Sequence, residues 1–180
     1  MRTKLRSLFF VGLLFAAPAS ADLVIDVQGV AQPTPVAVVP FGWEGQGQAM
    51  PLRVSTVITS DLRRSGRFAP VSEDKMLQKP TDGADVDFQD WSFVGVEAVV
   101  VGKVIQTGND QFTLQFQLFD VFGRRQMVGF RMPNVTRATM RGAAHRAADM
   151  IYEKLTGIKG VFGTKVAYVT AKRQGEGQLY

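Results

Sequence analysis

Residues Gln111–Phe122 read Q-F-T-L-Q-F-Q-L-F-D-V-F, and their spacing decides the fold class. Phe112, Leu114, Phe116 and Leu118 alternate with Gln111, Thr113, Gln115 and Gln117. A period of two places the apolar set on one face of a strand and the polar set on the other. The segment is therefore expected in a sheet with one face buried and one wet. Gly123-Arg124 turns the chain into Gln126–Met132, expected to pair back as the second strand of a hairpin.

Upstream, Glu97–Ile105 (E-A-V-V-V-G-K-V-I) is dominated by β-branched residues and reads as a central strand, set off by a turn at Gly108-Asn109. Val36–Phe41 is a shorter apolar run, read as a buried strand, and Arg67–Val71 is a further short strand. Between them, Gly42–Gln48 reads as a loop rich in Gly and Gln, and Pro51 suits the first turn of a helix. Val54, Val57, Ile58 and Leu62 follow at helical spacing, with Gly66 placed to close the helix. Glu73–Gln89 is a long acidic connection, after which Asp87 is placed to cap a short helix carrying Trp91.

Downstream of the hairpin, Met140, Ala144, Ala147, Ile151 and Leu155 recur at helical spacing within Thr136–Leu155. Thr136 is the expected cap, Lys154 suits the last turn, and Gly157 ends the helix. Gly157, Gly160 and Gly163 form a glycine-rich joint, expected to be a hinge, before a strand at Lys165–Thr170. The sum is an α+β fold: a small mixed β-sheet with two main helices packed on one face.

The amino-terminal end follows different rules. Arg2, Lys4 and Arg6 precede an apolar run, Leu8–Ala17, and the small-x-small site Ala19-Ser20-Ala21. This is the three-part pattern of a secretory signal, expected to be cleaved after Ala21. The run is short of the ~20 residues needed to span a bilayer, and no later segment is long and apolar enough to do so. Asp22–Val27 (D-L-V-I-D-V) then alternates Leu23, Ile25 and Val27 with Val24 and Asp26, a strand-capable arm. Gln32-Pro33-Thr34-Pro35 reads as a stiff extended spacer between the arm and the rest.

Composition limits what such a protein does. The 180 residues suffice for one domain with a core, and 46% apolar against 21% charged residues argues against disorder. The formal charge of +5 falls to +2 once Arg2, Lys4 and Arg6 are set aside, leaving 18 basic against 16 acidic residues. Nucleic-acid binding is not indicated. There is no cysteine, which excludes disulfides, thiol catalysis and a lipid-modified cysteine.

Motifs for chemistry are incomplete. His145 is the single histidine, with Asp149 one turn on; without further ligands in register it is read as a surface helix residue. Asp82, Asp85, Asp87 and Asp90 cluster without the glycine and closing glutamate of a calcium loop, and read as solvated loop and helix cap. Arg137, Arg141 and Arg146 read as a solvated helix face. No catalytic residue, cofactor or metal is assigned.

Several strings resemble the TolB family: Val38-Val39-Pro40-Phe41, Asp61-Leu62-Arg63-Arg64-Ser65-Gly66-Arg67-Phe68, Val99-Val100-Val101-Gly102, and Tyr152–Gly160 (Y-E-K-L-T-G-I-K-G). Lys165-Val166-Ala167-Tyr168-Val169 is similar to the start of that family's propeller. The resemblance implies a signal peptide at 1–21, a partner-binding arm and spacer at 22–35, an α/β domain at 36–159, and at 160–180 a hinge with the first strand of a β-propeller. It implies a non-enzymatic periplasmic adaptor of the Tol–Pal system, supporting outer-membrane integrity and envelope constriction at division. Its mature amino terminus binds the TolA C-terminal domain, which maps here onto Asp22, Leu23, Val24, Ile25, Asp26 and Val27. The lipoprotein Pal is bound mostly by the propeller, so no Pal-binding residue is assigned. An extended arm with alternating apolar side chains suits strand addition to an exposed sheet edge, with Asp22 and Asp26 adding charge complementarity, and the residues alone leave open the alternative that it pairs with its own domain or is frayed. The alternative is a regulatory domain for a peptidoglycan synthase of the LpoB type, whose lipidated cysteine this sequence lacks.

Overall fold

The computed structural model describes residues 32–47 and 49–164. The alternating segment is strand β5 (Gln111–Asp120), antiparallel to β4 (Ala98–Gly108) on one side and to β6 (Arg125–Val135) on the other. Phe112, Leu114, Phe116 and Leu118 are all fully buried, as the period of two requires. Arg124 takes a positive φ of 47° in the hairpin turn. The opposite face of β5 is less wet than expected. Phe119 lies under Phe88, ring edge to ring face with centroids 5.9 Å apart, and Gln117 Oε1 accepts the Gly83 N–H at 2.9 Å.

β1 (Thr34–Val38) pairs in parallel with both β4 and β3 (Phe68–Pro70), giving the order β3-β1-β4-β5-β6. Thr34 and Pro35, expected in the spacer, already belong to β1. Thr34 N–H donates to the Arg67 carbonyl at 2.9 Å, while Pro35, without an N–H, sits before the β4 ladder opens at Val36 and Ala98. Gly42–Glu44, expected as loop, is a short strand β2 parallel to β4. The long β4 outruns β1, and β2 occupies the remaining length at Lys103–Ile105. β6 extends beyond its expected end through Pro133 and Asn134; a register shift lies between Phe112/Val135 and Leu114/Met132, and Asn134 has φ 57°. Such a bulge on an outer strand tolerates the proline.

Two helices cover one face. α1 (Val54–Arg64) presents Val54, Val57, Ile58 and Leu62, and Gly66 follows at φ 70°. α3 (Met140–Thr156) presents Met140, Ala143, Ala144, Ala147, Ala148 and Ile151 to the same core. α3 starts later than expected because Thr136 and Thr139 first close a turn on each other: each backbone N–H donates to the other's hydroxyl, at 2.9 and 3.3 Å. It ends as expected at Gly157, φ 72°, a left-handed conformation that costs glycine little.

The other face is covered by the acidic connection, with single 3-10 turns at Glu73–Lys75 and Gly83–Asp85, and by α2 (Phe88–Val94). Asp87 caps α2, accepting the Gln89 N–H at 2.8 Å. Trp91, Val96, Met76 and Val86 pack there against Val39, Val99, Val101 and Phe119. No described helix is long and apolar enough to cross a membrane.

Candidate functional site

The arm residues expected to carry binding, Asp22, Leu23, Val24, Ile25, Asp26 and Val27, lie outside the described residues, as does the strand expected at Lys165–Thr170. What the structure gives is the ground on either side. Gln32 and Pro33 are exposed, and the chain enters the sheet at Thr34 beside Phe68. At the other end, residues 158–164 fold back on α3. Asp149 Oδ1 accepts the Phe162 N–H at 2.6 Å, and Oδ2 accepts the Gly163 N–H at 3.2 Å. Phe162 packs edge-on against Tyr152, with centroids 5.5 Å apart, and Tyr152 packs the same way on Phe68 at 5.9 Å. Gly160 is required by closeness, since a Cβ there would lie 2.5 Å from Asp149 Cα. The glycine-rich joint is therefore pinned to the domain as far as Gly163.

Asp149 thus serves the joint, not His145. His145 Nδ1 lies 2.6 Å from Oδ2 of Asp61, on the other helix. The Asp61 side chain is 0% exposed and His145 21%, so the reading of His145 as a surface residue is corrected. Arg64, largely exposed, reaches back to Oδ1 of Asp61. Both carboxylate oxygens are therefore engaged, as a buried acid needs. The sequence carried a signal for this: Asp61 falls four residues after Val57 on the apolar stripe of α1, where an acid must find a partner. The partner itself, 84 residues on, is not legible from spacing.

The remaining polar groups have local roles. Lys103 bonds Glu44 at 2.9 Å and reaches Asp82 at 3.6 Å; the Glu44 hydrogen bond is the main cause holding its ammonium above the ordinary lysine range, against the opposing effect of burial. Asp82 also accepts the Ala84 N–H. Arg137 pairs with Asp110 at 3.4 Å and lies over the Phe112 ring. No group of three or more metal-binding side chains occurs among the described residues.

Residues 23–127 match the family described as the TolB amino-terminal domain. The chain belongs to that family. Among curated TolB relatives, the "Tol-Pal system protein TolB" of Thioalkalivibrio sulfidiphilus is 43% identical over 181 residues, covering 100% of this chain and 41% of the relative. The crystal structure of TolB from Acinetobacter baumannii matches with a TM-score of 0.59 and 32% identity, over 72% of this chain and 30% of that one. The chain thus spans about two fifths of the length of the TolB relative it matches, and corresponds to the amino-terminal part. The LpoB C-terminal domain of Salmonella enterica is a weaker likeness, with a TM-score of 0.46 and 16% identity, and carries nothing about function.

Proposed function

We propose that this chain is the amino-terminal portion of a periplasmic, non-enzymatic adaptor of the Tol–Pal system. In this reading residues 1–21 are removed on export, Asp22–Val27 is a detachable arm, residues 36–159 form the body that presents it, and residues 160–180 lead into a propeller. The arm adds as a strand to an edge of the TolA C-terminal domain, while Pal is held by the region beyond this chain. The two contacts together couple the inner-membrane machinery to the outer membrane during constriction. The observation that supports this most is the extent of the family match, which runs from residue 23 to residue 127 and so takes in the arm from Leu23 onward together with the larger part of the body. The adaptor role asks no chemistry of Asp61, His145 and Arg64: the Asp61–His145 contact ties α1 to α3, and Arg64 engages the same carboxylate from within α1.

The test is removal of residues 22–27 from the mature full-length protein, followed by calorimetric titration with the TolA C-terminal domain. Binding is expected to vanish while circular dichroism and the unfolding midpoint stay unchanged. Retained affinity in the folded variant would refute the reading.

A further inference from the structure

The cleft between α1 and α3 carries more cationic groups than the fold uses. It is an open groove of about 720 Å³, with Arg53, Arg63, Arg64, Arg141 and His145 on its walls and Leu52 and Val57 among its apolar lining. Arg53 is held by Glu73 and Arg64 by Asp61. Arg63 and Arg141 are exposed and make no ion pair among the described residues. Asp61 is the one acid in the lining, and it is buried with both oxygens already occupied. The groove therefore offers guanidinium donors over an apolar base, with no free carboxylate to compete for them.

We propose that this groove is a second binding site, independent of the arm, and that its ligand is an acidic peptide segment of a partner protein in which carboxylates alternate with apolar side chains. Guanidinium groups pair with carboxylates through two parallel hydrogen bonds, so Arg63 and Arg141 would each fix one acid. The apolar residues between those acids would rest on Leu52 and Val57. A lone phosphate fits less well, because the two free cations belong to different helices and both are exposed, so neither offers it a buried seat.

The experiment uses the full chain and a short fluorescein-labelled peptide of alternating glutamate and leucine, followed by fluorescence anisotropy. Binding is expected, and it should weaken on raising salt. Arg63→Glu and Arg141→Glu should each weaken it about tenfold, since each removes a charge-assisted pair and adds repulsion. Arg146→Glu, the same charge change on an α3 residue outside the groove, should alter it less than about twofold. Deleting residues 22–27 should leave peptide binding intact, so the groove and the arm stand or fall separately. Circular dichroism confirms the fold of each variant. The proposal is overturned if the peptide does not bind, if Arg146→Glu costs as much as the groove variants, or if pyrophosphate or phosphatidylglycerol vesicles displace the peptide from a groove that binds them more tightly.

Discussion

The two faces of the sheet are covered in different ways. One lies under α1 and α3, whose apolar residues repeat at helical spacing and whose alanines let the helix approach closely. The other lies under an irregular connection that has two 3-10 turns, one short helix and few buried anchors, chiefly Trp91. Regular cover spreads its burial over many positions, whereas irregular cover depends on a few. Breaking each should therefore look different. Trp91→Ala is expected to destabilise by about 3–5 kcal/mol in urea unfolding. Hydrogen exchange should show protection lost first across 76–96. Ile151→Ala, costing about 2–5 kcal/mol, should lower protection globally instead. Identical exchange patterns would erase the distinction. Trp91→Phe sharpens it: the Trp91 Nε1 is buried without a partner among the described residues, so the swap should cost less than about 1.5 kcal/mol.

Within the regular face, the Asp61–His145 contact is the buried ionisable exception among the described residues. Asp61→Ala should cost about 1–3 kcal/mol, because His145 loses its partner inside the interface while Arg64 simply turns to water. A double-mutant cycle should give a coupling of about 0.5–3 kcal/mol for Asp61 with His145 and under about 1 kcal/mol for Asp61 with Arg64. Equal couplings would mean that burial does not separate the two partners.

These residues also mark what the sequence could disclose. The β5 alternation and the α1 stripe were legible because periodicity and burial are both set within a few residues. β2 was not, since a three-residue strand has no period and exists only because β4 outruns β1. The start of α3 shifted because hydroxyl exchange between Thr136 and Thr139 competes with the helix. The partners of His145 and Asp149 depended on chain packing: sequence spacing joined the two to each other, whereas the fold gives each a different contact. The arm was read from alternation and resemblance, and residues 22–27 fall outside the described structure.

The pinned joint belongs to the same contrast, as irregular chain held on a regular helix. Gly160→Ala should cost about 1–3 kcal/mol by forcing the segment off Asp149. Asp149→Ala should cost about 1–2 kcal/mol through its two backbone bonds. Both variants should speed exchange at the Phe162 amide without touching the core. Unchanged exchange there would show that Asp149 does not hold the joint.

The smallest effect lies where the irregular cover meets the sheet, at Lys103, which joins β4 to Glu44 of β2 and to Asp82 of the connection. Glu44 is half exposed, so the pair is partly screened, and Lys103→Gln should cost no more than about 1 kcal/mol at neutral pH. Its sign with pH is fixed. The folded protein holds this ammonium more tightly than the unfolded chain does, because the Glu44 hydrogen bond raises its pKa above the ordinary 10.5. The stabilisation is therefore fully present below pH 10.5 and is lost as pH rises through the higher folded value. The quantity that isolates this lysine is the stability of the wild type minus that of Lys103→Gln. That difference should shrink above pH 10.5 and stay level below it. A difference that does not change across this range would mean that the lysine contributes by packing alone, and that the irregular cover is attached to the sheet by its apolar anchors without help from charge.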